Sequence, residues 1–377
     1  MLSKNSDDFQ AIPAPRPLEV PAMTVGKEAT LYQQLPGGRV RCTACARYCN
    51  IGEGQMGFCG IRGNLGGKLQ LYVYGKIIAG HIDPIEKKPA THYMPGSRIF
   101  SIATTGCSWA CLYCQNYDIS QRRKVEGLDA TPESVVEMTK RYRCEGLAYT
   151  YNEPSIFIEF AHDIGVQARK AGLVNIFVSN GYDTPDGVAL MRDFLDCITV
   201  DFKGNGETKF VRKYITIANA DPIFQTLLEL RDKTKVHIEI TDLIVPEVGD
   251  DLGAAKKLCS WVYDNLGPDT PIHFLRFHPD YKMLNLPATP IKTLEKHHAI
   301  AKEVGLNYAY LGNAPGHPLE HTYCAGCGRV VVERFGFDIT GWNMDDQNRC
   351  KYCGNEIPIV GRLSRSINEE RFMPIAM

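Results

Sequence analysis

Seven short apolar runs recur along the middle of this chain, at residues 99–104, 146–151, 175–179, 197–202, 236–245, 272–277 and 307–311. Each is strand-length, bounded by turn or helix signals and rich in Val, Ile, Phe or Tyr, which predicts buried strands. Helical stretches separate them. Thr131-Pro132, Thr184-Pro185, Asp221-Pro222 and Thr289-Pro290 each set a capping side chain before a proline suited to a first helical turn. Strand-then-helix alternation kept up from about 98 to 313 predicts an α/β parallel sheet, open or closed as a barrel.

The flanks have a different pattern. Residues 1–36 read as a loose arm, because Pro13, Pro15 and Pro17 disfavour both helix and sheet ladder. Residues 41–64 hold four cysteines and five glycines, too little apolar material for a core of their own. Residues 69–81 read as a strand or hairpin. The segment 320–361 holds two further cysteine pairs around the strand-like Val330-Val331-Val332, Phe335 and Phe337. These shifts divide the chain into an arm (1–36), a Cys-rich module with hairpin (37–97), a core (98–318), a ribbon (319–361) and a tail (362–377).

Composition narrows the class. Hydrophobic residues make up 44% and charged residues 23%, so the chain is globular rather than disordered. No apolar run approaches the roughly 18 residues of a membrane span. The first 20 residues lack the basic-then-apolar order of a secretory signal. Lys and Arg number 42 against 43 Asp and Glu, a net charge of −1 that gives no case for nucleic acid. Eleven of the 14 cysteines fall into three clusters with short spacings. Such spacings suit metal centres better than disulfides, which predicts a reducing, cytoplasmic setting.

The central cluster, Cys107-x3-Cys111-x2-Cys114, directly follows a predicted strand and offers three thiols. A structural zinc site takes four protein ligands. Three thiolates on a four-iron cluster leave one iron open for a small molecule. A zinc site completed from a distance, or incidental cysteines, is the alternative reading.

Cys42-x2-Cys45-x3-Cys49-x9-Cys59 offers four soft ligands, which suit zinc or a fully ligated iron–sulfur cluster. Cys324-x2-Cys327-x22-Cys350-x2-Cys353 forms two knuckles, each followed by glycine, of the kind found in zinc ribbons and rubredoxin. Zinc is the expected metal there.

Taken together, Gly106-Cys107-x3-Cys111-x-Tyr113-Cys114 resembles the radical S-adenosylmethionine (SAM) superfamily. Four longer strings resemble one branch of it: Asp83-Pro84-Ile85-Glu86-Lys87-Lys88-Pro89, Cys114-Gln115-Asn116, Tyr149-Thr150-Tyr151-Asn152-Glu153-Pro154 and Arg276-Phe277-His278-Pro279-Asp280-Tyr281. That branch, the AmmeMemoRadiSam-system enzymes, is similar to pyruvate formate-lyase activating enzymes. The likeness covers about residues 40–361. It implies an incomplete, TIM-like parallel α/β barrel of the radical SAM type, carrying the Cys-rich module at one end and the zinc ribbon or rubredoxin-like module at the other. It also implies a [4Fe–4S] cluster whose open iron is chelated by SAM. One electron, from a flavodoxin- or ferredoxin-type donor, then cleaves SAM to a 5′-deoxyadenosyl radical that abstracts hydrogen from a substrate.

The resemblance assigns roles to polar residues at the ends of the predicted strands, where α/β barrels keep their working groups. Glu153, with carbonyls near Asn152, would receive the SAM ammonium, although Tyr151-Asn152 stands where the activating enzymes carry glycines. Lys203, paired with Asp201, would hold the SAM carboxylate. Ser179 and Asn180 would bond ribose or carboxylate, His278 would contact the cofactor, and Tyr113 would pack near adenine. No hydrogen-donating residue is identified; Cys144, Cys197 and Cys259 read as buried small hydrophobes. The substrate is a glycyl residue of a partner protein, or else a small molecule, a lipid or another protein residue. A non-catalytic multi-cluster electron carrier or scaffold is the competing class.

Overall fold

The computed structural model describes residues 26–364 and the backbone of 373–374. All seven predicted strands form, and in one sheet. Following β1 (Ala79–Pro84), they are β2 (Arg98–Ala103), β3 (Gly146–Tyr149), β4 (Val174–Ser179), β5 (Cys197–Lys203), β6 (His237–Ile244), β7 (Ile272–Arg276) and β8 (Ala309–Gly312). Neighbours from β2 to β8 are parallel and follow chain order, while β1 joins β2 antiparallel. The crossovers carry α1 (Pro132–Arg141), α2 (Ile158–Lys170), α3 (Pro185–Met191), α4 (Asp221–Lys233), α5 (Leu252–Leu266) and α6 (Ile291–Val304). The sheet is mainly parallel and does not close on itself: among the described residues its order runs from β8 to residues 373–374 beside β1. No helix among the described residues is long and apolar enough to cross a membrane.

The two faces of β5 show how the pleat sorts side chains. Successive residues point to opposite faces. Phe202 lies on the helix side and meets Phe224 of α4 with ring centroids 5.1 Å apart. Asp201 and Lys203 face inward and line the central cavity.

The segment 85–97 fills the inner face of the sheet. Ile85, Ala90 and Tyr93 pack against Ile99, Ala148, Ile176 and Cys197. Its polar backbone is also satisfied from inside: Thr199 donates to the Lys88 carbonyl at 2.7 Å, and Glu239 of β6 accepts from the Thr91 and His92 amides at 3.1 and 2.7 Å. Such a buried segment survives only because its backbone groups find partners.

The C-terminal ribbon covers the edge beside β8. Its hairpin, β9 (Val330–Phe335) and β10 (Asp338–Trp342), shares a small core with Tyr308 and Tyr310. Arg334 is buried and donates to the Thr322 hydroxyl at 2.7 Å, and Tyr310 bonds His92 at 2.6 Å.

Several sequence expectations are corrected. The loose arm does not extend to 36. Lys27–Glu28 pairs with Lys68–Leu71, and Tyr32–Leu35 forms a hairpin with Arg39–Cys42. Its turn, Pro36-Gly37-Gly38, uses positive φ at both glycines, a cheap conformation only for glycine. Residues 1–25 lie outside the described part. In the tail, Met373–Pro374 pairs with β1. Thr131 and Thr184 cap α1 and α3 through their hydroxyls. Asp221 instead opens α4 as its first helical residue. Thr289 spends its hydroxyl on the Phe277 amide and the Ile244 carbonyl, a tertiary role that local sequence does not reveal.

The N-terminal module is held by one buried ion pair. Arg62, 1% exposed, reaches both carboxylate oxygens of Glu159 in α2 and the Ile156 carbonyl at 2.6 Å. The same carboxylate accepts from the Thr30 and Leu31 amides. Glu159→Gln strands a buried guanidinium charge, which typically costs about 3–5 kcal/mol. The expected result is a clear drop in the denaturant midpoint of the metal-replete protein, with detachment of residues 26–65 seen as faster amide exchange.

Candidate functional site

A cavity of about 940 Å³ opens at the C-terminal ends of the parallel strands and reaches inward to the segment 85–97. Cys107, Cys111 and Cys114 stand on its wall, in the loop after β2. That loop is fixed from several sides. Asn116 donates to the Tyr151 carbonyl at 2.8 Å, Asn152 to the Gly106 carbonyl at 3.0 Å, and Asn180 to the Ser108 hydroxyl at 3.0 Å. Burial holds the three thiols above their ordinary value, Cys111 at about 12. A bound metal is what converts such thiols to thiolates.

The structure brings most of the expected polar residues to this cavity. Tyr113, Asn152, Glu153, Asn180, Asp201, Lys203 and His278 all line it. Lys203 donates to Asp201 at 2.8 Å, and Thr241 bonds the other Asp201 oxygen. Burial opposes the Lys203 charge, but Asp201 outweighs it and raises the ammonium above its ordinary value. His278 is exposed at the rim. Tyr113 is buried among Phe210 and Phe277, so it is at once core and cavity wall.

Two expectations change. Glu153 is 2% exposed and already accepts four hydrogen bonds, from the Ser155 amide and hydroxyl, the Ser179 hydroxyl and the Asn180 amide. It organises the ends of β3 and β4 rather than offering free oxygens. Ser179, spent on this carboxylate, is absent from the cavity lining. The neighbouring Asp183 shares the Ser155 hydroxyl, and burial next to Glu153 raises its pKa far above the ordinary carboxyl value. The unspent acceptor lies one residue earlier: Asn152 Oδ1 is buried with no hydrogen-bond partner among the described residues.

The deeper wall was not foreseen as a site. Asp83 of β1 binds Lys87 at 2.8 Å, Lys88 at 2.6 Å and the Tyr151 hydroxyl. Burial pushes the Lys88 ammonium down to about 8, although Asp83 opposes this. His273, bonded to Glu239 at 2.8 Å, and Arg334 complete a polar floor. The Asp83-to-Pro89 string was visible in sequence, but nothing local shows that it turns inward. Cys144, Cys197 and Cys259 are buried away from the cavity.

The other two cysteine groups differ in spacing. In the ribbon, Cys324 and Cys353 sulfurs are 3.6 Å apart, Cys327 and Cys350 sulfurs 3.8 Å, and all four lie within 4.8 Å of one another. A tetrahedral ion with bonds of about 2.3 Å sets sulfurs about 3.8 Å apart, so this group fits a single metal ion. Cys42, Cys45, Cys49 and Cys59 line one recess in the N-terminal module and are not part of such a tight group.

The sequence profile of the radical SAM superfamily matches residues 101–258. A protein of Methanocaldococcus jannaschii, itself named only as uncharacterized, is 42% identical over 337 residues, spanning 89% of this chain and 99% of its own. This chain belongs to the radical SAM superfamily. Similar solved structures include a domain of a pyruvate-formate lyase-activating enzyme from Bacteroides vulgatus, at 15% identity, 45% of this chain, 99% of that one and a TM-score of 0.39. Methylornithine synthase is also similar, at 15% identity, 65% and 80% coverage and a TM-score of 0.38. Superfamily membership makes the protein an enzyme of SAM-cleaving radical chemistry with an iron–sulfur centre.

The residues present fit that cofactor pair. Three soft ligands suit a four-iron cluster with one open iron. The orphaned Asn152 oxygen suits an ammonium, and the Lys203 ammonium suits a carboxylate. A charge-assisted hydrogen bond contributes about 1.5–3 kcal/mol. Lys203→Ala is therefore expected to keep its iron but bind SAM on the order of tenfold or more weakly, as measured by equilibrium titration of cluster-replete protein. Double substitution Cys327→Ala/Cys353→Ala is expected to lower the metal content by one ion per chain, with no loss of acid-labile sulfide.

Proposed function

We propose that this protein binds a [4Fe–4S] cluster through Cys107, Cys111 and Cys114 and SAM beside it, and uses them to take a hydrogen atom from a substrate in the central cavity. The cluster and SAM, when bound, supply a 5′-deoxyadenosyl radical; the chain's own residues bind, orient and shield. Lys203 holds the SAM carboxylate, with Asp201 fixing its direction. Asn152 accepts from the SAM ammonium, and Glu153 keeps the ends of β3 and β4 in place. Tyr113 and Trp109 give the pocket an apolar wall that excludes water. The carrying observation is the convergence of three thiols, Lys203 and Asn152 on one cavity. A non-catalytic electron carrier would leave these groups without a task.

Two substrate classes suit this chemistry: a glycyl residue of a partner protein, as in the activating enzymes, and a small molecule. The polar character of the cavity floor, where Lys88, His273 and Arg334 stand, supports the small polar molecule. We further assign the protein to the AmmeMemoRadiSam-type branch, with a flavodoxin- or ferredoxin-type donor, zinc in the ribbon and a reducing, cytoplasmic setting.

Anaerobic incubation with SAM and reductant is expected to yield 5′-deoxyadenosine. The Cys107→Ala/Cys111→Ala/Cys114→Ala variant should yield none and lose the SAM-sensitive electron paramagnetic resonance signal. Undiminished product from that variant would remove the cluster assignment. Deuterium passing into 5′-deoxyadenosine from a labelled small-molecule fraction, and not from a labelled protein fraction, is the result that matches the polar floor.

A further inference from the structure

The N-terminal cysteines form a site that the reaction proposed above does not use. Cys42, Cys45 and Cys59 are buried, Cys49 is half-buried, and none is in a disulfide. All four line one recess, together with Arg47, Arg62 and Ser108. Their spacing separates two kinds of occupant. Around one zinc ion, four sulfurs crowd to about 3.8 Å from each other, and the ribbon cysteines do so. Around a four-iron cube each thiolate binds a different iron, so the sulfurs stand a further iron–iron edge apart. Among the described residues, the ribbon group is the one set of three or more His, Cys, Asp or Glu side chains whose ligand atoms all lie within 4.8 Å. Neither Cys42, Cys45, Cys49 and Cys59 nor Cys107, Cys111 and Cys114 gather so tightly. In this the N-terminal four differ from the ribbon four.

Position adds to spacing. The recess and the triad share a wall, since Ser108 lines the first and Cys107 the second. A Cβ on Gly106 would come within 2.5 Å of the Cys59 carbonyl, and Gly106 has φ +88°. Only glycine lets the two cysteine loops approach this closely. Arg47 lies between them and donates to the carbonyls of Ser108 and Thr216 and to the Thr216 hydroxyl, with no carboxylate partner among its hydrogen bonds. An unneutralised cation at this place suits an anionic centre.

We propose that Cys42, Cys45, Cys49 and Cys59 hold a second, fully ligated [4Fe–4S] cluster that relays electrons to the triad site. With four protein thiolates it has no open iron for SAM or substrate. It accepts one electron from a reduced flavodoxin- or ferredoxin-type donor, which is oxidised, and passes that electron to the cluster at Cys107, Cys111 and Cys114. No bond is made or broken and no proton moves. The relay half rests on the function proposed above; the cluster half does not.

The test uses the full chain, purified anaerobically. The Cys107→Ala/Cys111→Ala/Cys114→Ala variant is expected to retain about four irons and about four acid-labile sulfides, with a reduced paramagnetic signal indifferent to SAM. A variant with no sulfide and a second zinc overturns the proposal. Should that variant fail to fold, wild-type stoichiometry decides: about eight irons and one zinc supports it, about four irons and two zincs overturns it. In the complementary Cys45→Ser/Cys49→Ser variant, dithionite should still produce the SAM-sensitive signal, while reduced flavodoxin should produce it at least tenfold more slowly. An unchanged rate with flavodoxin overturns the relay. Absence of any SAM-sensitive signal in wild type, with sulfide kept in the triple variant, refutes the proposed function and leaves the second cluster standing.

Discussion

The buried pair of Arg62 and Glu159 is the contact on which the placement of the N-terminal Cys-rich module depends. The Cys-rich module has too few apolar residues to fold by itself, so it must borrow stability from the barrel. It does so through a guanidinium and a carboxylate that are both nearly sealed from water, with the remaining acceptor capacity used by the Thr30 and Leu31 amides and the Ile156 carbonyl used by Arg62. A pair so placed has little net stability to give, but it is costly to break and specific in direction. Three residues before Arg62, the Cys59 carbonyl lies against Gly106, where the N-terminal recess meets the loop of Cys107.

The barrel contributes by the direction of its strands. Because β2 to β8 are parallel, their C-terminal ends open on one side, and inward-facing residues from several strands converge there. Glu153 then arranges what convergence alone leaves loose. By accepting from Ser155, Ser179 and Asn180, it ties the ends of β3 and β4 into one rigid rim. Asn180 in turn holds Ser108 of the cysteine loop. Neighbours in sequence thus differ: Asn152 Oδ1 has no partner among the described residues while both Glu153 oxygens are bonded.

The sheet does not close, and two segments remote in sequence deal with the opening. Residues 85–97 fill its inner face and leave Lys88, paired to Asp83 beneath it, on the cavity floor. The ribbon covers the β8 edge, and the turn of its hairpin, Phe335 to Asp338, reaches the cavity wall. An unpaired sheet edge and a gap in a barrel are both liabilities. Here the covering elements become part of the site.

Sequence alone determined the seven core strands, the helix starts at Thr131 and Thr184, the three-cysteine cluster and the ribbon knuckles. Each of these is written locally, in apolar period, capping chemistry or cysteine spacing, and the period-2 pleat set Asp201 and Lys203 on one face of their strand. Tertiary structure alone decided the rest. The Pro36-Gly37-Gly38 turn makes strands of residues expected to be loose only because Arg39–Cys42 offers a partner. Whether Glu153 faces a ligand or its own scaffold depends on Ser179 and Asn180, 26 and 27 residues away. Lys88, His273 and Arg334 share a floor because the open barrel draws in a segment before it and a ribbon after it. Such long-range pairings have no local signal, since which distant group satisfies a buried charge is settled only when the chain is packed.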